Sequence, residues 1–491
     1  MFRPPKEFWR FCNYSPQAKR SCLLRSLFVA IGSQRAIVFT IWLRRMKRSN
    51  SVPGLYVRLL VLDALQRIQN QDGYSDVVAE QTLSTHRLSP VDAALFNELV
   101  RGVVRYRLTL DYYLAAFVKS ISKLDPVVHI ILQIGLYQLA MLERVPAHAV
   151  VHSSVALAAQ KKRAHLKGLV NAVLRNYLRQ PVALPDPRHE KNPVSALAIC
   201  YSFPEWLVAH WVEQLGVAET EELLQASNTH PGLSLRISND PDAFSRLTKE
   251  MNLNITSGAV PGYVTVKGMS YAQQQRLLHE TKITVQDASA GLVALVARPR
   301  SGWKIADVCA APGGKSLHLA ELTAGENELY SADLQLSRLQ KIAQNCKRLN
   351  IQSIHLLQAD ARSIPLLPVD LVMLDAPCSG LGVIRKKPDL KWNKTPQHIA
   401  QLAELQYHLL TSAATRVKKN GFLIYSTCTT TKQENENVVF AFLKKNSDFI
   451  AHDLKHEPIA KSFATRDGFI RTWPHRHDLD GSFVAKMQRV S

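Results

Sequence analysis

Three residues in the second half of this 491-residue chain have the types and spacing that covalent chemistry needs. Asp375 opens Asp-Ala-Pro-Cys378-Ser-Gly and Cys428 closes Tyr425-Ser-Thr-Cys, each directly after an apolar run that reads as a β-strand. A free cysteine is usually a small buried apolar residue, but two thiols and a carboxylate just past strand ends converge on one crevice. Upstream, Cys309-Ala310-Ala311-Pro312-Gly313-Gly314-Lys315 is a tight glycine-rich turn into a helix. Small residues there let backbone amides approach a ligand, and the helix start offers partial positive charge to an anionic group. A phosphate-binding loop would need glycine at position 309, which is cysteine, and no GxGxxG fingerprint is present. Asp333 ends the next strand, twenty residues beyond Gly313, where a carboxylate accepts hydrogen bonds from ribose hydroxyls; Asp360 ends the following one, placed to contact a base. Either acid alone is more often a cap or turn residue, but loop and acids in strand order point to a nucleoside-containing cofactor. A Pro-Cys pair beside such a cofactor suggests attack of a thiolate on a pyrimidine ring. Spacing does not choose between Cys378 and Cys428 as the attacker.

The elements that must position these residues follow from the rhythm after Gln286, where strand and helix patterns alternate as in a doubly wound parallel sheet. WKIADVCA, ELYSAD, SIHLLQAD, VDLVMLDAP and GFLIYSTC read as strands; SLHLAELT, SRLQKIAQNCKRL and QHIAQLAELQYHLLTSAATRV read as helices. Ligands of such sheets sit at the carboxyl ends of the strands. Earlier, about Pro53 to Arg179 carries apolar residues at helical spacing, and Ser89 before Pro90 is an N-cap with proline at the first helical position. An all-helical bundle of six or seven helices is predicted there. Its basic cluster of Lys161, Lys162, Arg163, Lys167, Arg175 and Arg179 reads first as a solvated face and second as a phosphate-binding one. Four prolines between Pro181 and Pro193 mark a linker, followed by an aromatic helical segment and a small α/β pattern. The boundaries expected are 1–50 for a basic leader, 51–182 for the bundle, 183–284 for the small α/β unit and 285–491 for the doubly wound unit.

Lysine and arginine outnumber the acids by 61 to 40, an excess of +21 that a fold does not need and a polyanion does. Eight of those charges lie within the first 45 residues, which read as a transit-like segment, a basic RNA-binding arm, or an extension upstream of a start at Met46. Seven cysteines, odd in number and never spaced as CxxC, exclude a disulfide framework and a zinc ribbon, so reduced thiols in a cytosol-like compartment and no metal are expected. The stretch Leu27 to Leu43 is interrupted by Gln34 and Arg35 and is too short to span a membrane.

CAAPGGK, DAPCSGLGVIRKKPDLKW and YSTCTTTKQENENVV closely resemble the S-adenosylmethionine-dependent RNA cytosine-5 methyltransferases. The helical part, with GLYQLAMLERVPAHAVVHSSVALA and LKGLVNAVLRNYLR, is similar to the NusB-type RNA-binding domain that precedes the catalytic part in bacterial small-subunit ribosomal RNA methyltransferases. VQDASA and the closing GFIRTWPHRHDLDGSFVAK extend the likeness over about residues 50 to 490. The resemblance implies an all-α NusB-like domain, a small α/β (RRM- or ferredoxin-like) middle domain and a Rossmann-like class I methyltransferase domain. It implies Cys428 as nucleophile at cytosine C6, Cys378 in resolving the adduct, and Asp375 at the cytosine N3 edge and bordering the cofactor. It places Cys309 to Lys315 around the methionine portion of S-adenosylmethionine, Asp333 on its ribose and Asp360 on its adenine. The implied substrate is a loop or single-stranded cytosine of 16S ribosomal RNA, position 967, methylated in the cytoplasm by a monomer. The rival readings are the same chemistry on transfer or large-subunit RNA, and an RNA-binding factor without catalysis.

Overall fold

The computed structural model describes residues 54–71, 73–237 and 241–491. The basic leader, the stretch Leu27 to Leu43, and Cys12 and Cys22 lie outside them. Within the described residues no helix is long and apolar enough to cross a membrane.

Seven helices build the first unit: α1 (Leu55–Gln71), α2 (Ser75–Thr85), α3 (Pro90–Arg105), α4 (Arg107–Ala115), α5 (Pro126–Met141), α6 (Ala147–Gln160) and α7 (Lys167–Arg179). The predicted cap at α3 forms, with the Ser89 side chain accepting from the Asp92 amide, and Asp125 caps α5 in the same way ahead of Pro126. Apolar side chains from all seven helices, with α2 contributing Val78 and Ala79, make one continuous core around α5, whose Ile130 to Leu136 is buried on nearly every side. Of the basic cluster, Lys161 pairs with Asp63 and Arg163 with Asp125.

Three short helices follow, α8 (Pro193–Tyr201), α9 (Glu205–Leu215) and α10 (Val217–Asn228). Phe203, Leu207 and Trp211 pack with Leu381, Ile384, Leu390 and Trp473 from far along the chain, so these helices wedge against the last unit. The middle sheet contains β1 (Leu233–Ile237), β2 (Asn254–Ser257), β3 (Tyr263–Lys267) and β4 (Ile283–Val285) in the order β2-β3-β1-β4, all antiparallel, with α11 (Pro241–Glu250) and α12 (Tyr271–Glu280) as its two crossovers. That βαββαβ order is ferredoxin-like.

The last unit begins with α13 (Ala288–Ala297), capped by Asp287, and continues through β5 (Lys304–Asp307), α14 (Gly314–Leu322), β6 (Glu328–Asp333), α15 (Leu336–Leu349), β7 (Ile354–Gln358), β8 (Val369–Asp375), α16 (Pro396–Ala414), β9 (Val417–Thr427), α17 (Glu436–Lys445), β10 (Phe449–Ala451), β11 (Ile470–Thr472), α18 (Pro474–His477) and β12 (Ser482–Arg489). The sheet order is β10-β12-β9-β8-β5-β6-β7, with β5 to β9 mutually parallel and β12 antiparallel between β9 and β10. The chain runs outward from β5 to β7 and then returns beside β5 with β8. This reversal opens a crevice at the carboxyl ends of β5 and β8.

Candidate active site

Cys378 follows β8 and Cys428 follows β9, adjacent parallel strands whose Asp375 and Ser426 are in register. The two loops therefore leave the sheet side by side, and Cys378 Sγ lies 3.3 Å from Cys428 Sγ, with the Cys428 amide 3.4 Å from the Cys378 sulfur. The loops are locked by Glu434, which is fully buried and accepts from the Ser379 amide (2.7 Å), the Ser379 hydroxyl (2.5 Å), Thr429 (3.1 Å), Thr431 (2.8 Å) and the Gln406 amide (3.1 Å). Asn435 adds a bond from its amide to the Thr429 carbonyl at 3.0 Å. Gly382 donates to the Cys428 carbonyl at 3.0 Å, and a Cβ on it would stand 1.8 Å from the Gly481 carbonyl oxygen, so only glycine allows the two backbones to touch.

Asp375 at the end of β8 accepts from Lys315 Nζ at 2.6 Å through one oxygen and from the Ser426 hydroxyl at 2.8 Å through the other. Burial opposes the charge on Lys315, but the Asp375 carboxylate outweighs it and holds the ammonium above its ordinary range. The hydrogen bond from Cys378 lowers the Cys428 thiol against the opposing effects of burial and Asp375, and the Lys315 ammonium assists it. The same bond, burial and the Glu434 carboxylate push Cys378 the other way, well above an ordinary thiol. The pair is thus polarised with thiolate character on Cys428.

The loop from Cys309 to Lys315 lies across β5 and β6. The Ala310 amide bonds the Ala332 carbonyl at 2.8 Å, the Ala311 amide reaches Asp333 at 3.3 Å, and the Ala311–Pro312 bond is cis. Gly313 adopts φ +100°, and a Cβ there would press on Ile342 at 3.0 Å. Gly314 begins α14, and its Cβ would meet the Gln286 amide at 3.1 Å. Burial pushes the Cys309 thiol up, so it behaves as an apolar lining residue. Asp333 is buried, also accepts from the Gln335 amide at 3.1 Å, and has Arg338 at 3.5 Å. Asp360 is different: it stands beyond β7 but its carboxylate is gripped by the Arg362 guanidinium at 2.6 Å and by the Arg362 amide at 2.9 Å.

The structure brings Cys378 into contact with Cys428 and Lys315 into contact with Asp375, the second pair within electrostatic reach of Cys428, and leaves Asp360 at the edge in its own ion pair. Sequence reading missed Glu434, Asn435, Ser426 and Asp307. Asp307 is the end of β5, fully buried, with one oxygen accepting from Ser316 at 2.5 Å and Oδ1 without a partner; burial pushes its carboxyl up to about 7. It also missed the knot in which Lys386 binds Asp287 and Asp480, and Arg385 binds Asp478 and Asp480. The signal for Glu434 was present in the threonines of TTTKQEN, whose hydroxyls need an acceptor.

A model described as the 16S rRNA methyltransferase RsmB/F matches residues 294–488, the NusB family model matches 56–179, and the ferredoxin-like domain of the RsmF/B-like methyltransferases matches 203–251. The probable ribosomal RNA small subunit methyltransferase B of Synechocystis is 38% identical over 450 residues, spanning 88% of this chain and 99% of that protein. Its Bacillus subtilis counterpart is 34% identical over 450 residues, spanning 88% and 98%. Among solved structures, that of PH0851 superposes with a TM-score of 0.75 at 25% identity, covering 90% of this chain and 100% of that one. NSun6 from Pyrococcus horikoshii, solved with SFG, shares the fold of part of the chain, with a TM-score of 0.53 at 21% identity over 59% of this chain and 99% of that one. With relatives matched along nearly their whole length and all three units covered, the chain belongs to the RsmB/F family of 16S rRNA methyltransferases.

Proposed function

We propose that the protein methylates C5 of a cytosine in 16S ribosomal RNA, position 967 by resemblance, with S-adenosylmethionine as methyl donor and Cys428 as covalent nucleophile. The observation that carries this reading is the polarised thiol pair, 3.3 Å apart beside the Lys315–Asp375 contact. The donor set suits the cofactor. Asp333 and Asp375 bring carboxylate acceptors to the strand ends, where hydroxyl and ammonium donors of the cofactor would find them, and Asp307 Oδ1 is a buried acceptor without a partner. Residues 309–315 would surround its methionine portion, Asp333 its ribose, and Asp360 its adenine once Arg362 yields.

When bound, the cofactor supplies an electrophilic methyl group. Cytosine C5 is a poor nucleophile, so the Cys428 thiolate first adds to C6, which moves electron density onto C5 and splits one difficult step into easier ones. Asp375 holds the N3 edge and favours its protonated, electron-accepting state, with Lys315 and Ser426 orienting the carboxylate. After C5 captures the methyl group, its proton passes to a base and the C6–S bond breaks by β-elimination, returning the electron pair to Cys428; Cys378, which carries the S–H of the pair, assists this release. The target base must leave its stack to enter the crevice, which favours a loop cytosine. A thiolate nucleophile also fits a reducing cytoplasm.

Cys428→Ala is expected to abolish methyl transfer, whereas Cys378→Ala traps a covalent RNA adduct visible on a denaturing gel. An adduct in Cys428→Ala instead would reverse the roles. Bisulfite sequencing of ribosomal RNA from cells with and without the protein tests the target; loss of methylation on another RNA alone would overturn the 16S assignment.

A further inference from the structure

A groove of about 520 Å³ opens where the three units meet. Its walls carry Arg101 and Arg105 of α3, His230 just before β1, Lys267 at the end of β3, and Arg385 and Lys386 behind the Cys378 loop. Most of these cations are already neutralised: Arg101 by Asp76 at 2.8 Å, and Arg385 and Lys386 by the aspartates of their knot. Arg105 is not. It is 2% exposed, no carboxylate of the described residues lies within ion-pair distance of it, and its Nε has no partner. It donates instead to His230 Nε2 at 2.8 Å and to the Arg385 carbonyl at 2.9 Å. Lys267 is exposed beside it, with no ion pair among the described residues. Glu98 stands behind the imidazole, 3.8 Å from His230 Nε2 and already accepting from Tyr137, so the buried guanidinium has no direct anionic partner and an anion in the groove supplies one.

The groove is also placed for a particular anion. Gly382, three residues before Arg385, donates to the Cys428 carbonyl, so one segment walls both the groove and the thiol. We propose that the groove is a phosphate subsite for the RNA strand flanking the methylated nucleotide, a backbone phosphodiester seating against Arg105, His230 and Lys267. This inference rests on the RNA-methylating reading above. Burial, with Arg105 and Arg101 against the opposing Glu98 carboxylate, shifts His230 below its ordinary titration range, and with Nε2 accepting from Arg105 its other ring nitrogen can donate to a phosphate oxygen.

The test uses the full chain and a 16S ribosomal RNA fragment containing the target cytosine. The variant Lys267→Gln with His230→Gln is compared with Lys304→Gln, a lysine at the start of β5, at the opposite end of the sheet. The double variant is expected to bind the fragment roughly 3- to 10-fold more weakly, with a slope of log affinity against log salt smaller by about 0.7 for a lost single-strand phosphate contact. Its KM for RNA should rise in step, with S-adenosylmethionine affinity by calorimetry as in the wild type; Lys304→Gln should change none of these. Unchanged affinity and salt slope in the double variant, or an equal loss in Lys304→Gln, would overturn the subsite. Wild-type protein that binds the fragment yet leaves it unmethylated would instead overturn the proposed function, and the binding comparison would still decide the subsite.

Discussion

The two halves of the crevice are held by buried carboxylates in opposite states. On the cysteine side Glu434 is surrounded by donors from Ser379, Gln406, Thr429 and Thr431, with both oxygens occupied. On the side of the 309–315 loop Asp307 has the Ser316 hydroxyl on one oxygen and no side-chain hydrogen-bond partner on Oδ1. A fully satisfied carboxylate fixes geometry, which a pair of sulfurs 3.3 Å apart requires. An incompletely satisfied one is pushed towards its protonated form and leaves acceptor capacity beside the loop proposed to meet the cofactor.

The comparison can be broken in four places. Glu434→Ala should have the largest effect, because it leaves five donors without their acceptor: a loss of about 3–5 kcal/mol in denaturant unfolding, with methyl transfer falling further than cofactor binding. A change under about 1 kcal/mol would mean that the loops hold themselves. Asp333→Ala should weaken S-adenosylmethionine about 10- to 100-fold by calorimetry, the worth of charge-assisted hydrogen bonds from a buried acid. Asp307→Asn isolates the proton. The folded carboxyl titrates near 7 and the unfolded one near 4, so the wild type has its full stability below about pH 4 and loses it as pH rises towards 7. The asparagine variant should lack that decline, on the order of 2 kcal/mol between melts at pH 5 and pH 8. A parallel pH dependence in both proteins would show that Oδ1 is solvated after all. Asp360→Ala should have the smallest effect, no more than a few-fold in cofactor affinity, since its half-buried carboxylate must first leave Arg362.

What was legible in the sequence was the part that local rules decide. ELYSAD is strand β6 to the residue, because its apolar run ends at an acid just before a helical repeat. Ser89–Pro90 starts α3 for reasons contained in those two residues. The crevice residues were readable as strand ends, and Asp375 and both cysteines stand there. What was not legible depends on partners far along the chain. Glu434 looks like a solvated charge until Ser379, 55 residues earlier, supplies two of its donors. Arg105 looks like the polar edge of an amphipathic helix, and only contact with the Arg385 carbonyl, 280 residues away, buries it. The helices between residues 193 and 228 group with the middle sheet by sequence proximity, but their apolar faces are claimed by Leu381, Ile384 and Trp473. Asp360 shows a third case, in which the position follows from sequence but the occupant of its carboxylate does not.

The stretch from Cys378 to Trp392 ties the last unit to the first: Ser379 bonds Glu434, Lys386 bonds Asp480, Asp389 accepts from the Ser75 amide and hydroxyl of α2, and Trp392 donates to the Val104 carbonyl of α3. A loop that carries Cys378 and is braced in this way is sensitive to what packs behind it. A chimera that exchanges the helical unit for a foreign one would present new surfaces to Asp389 and Trp392 and perturb the thiol loop from behind.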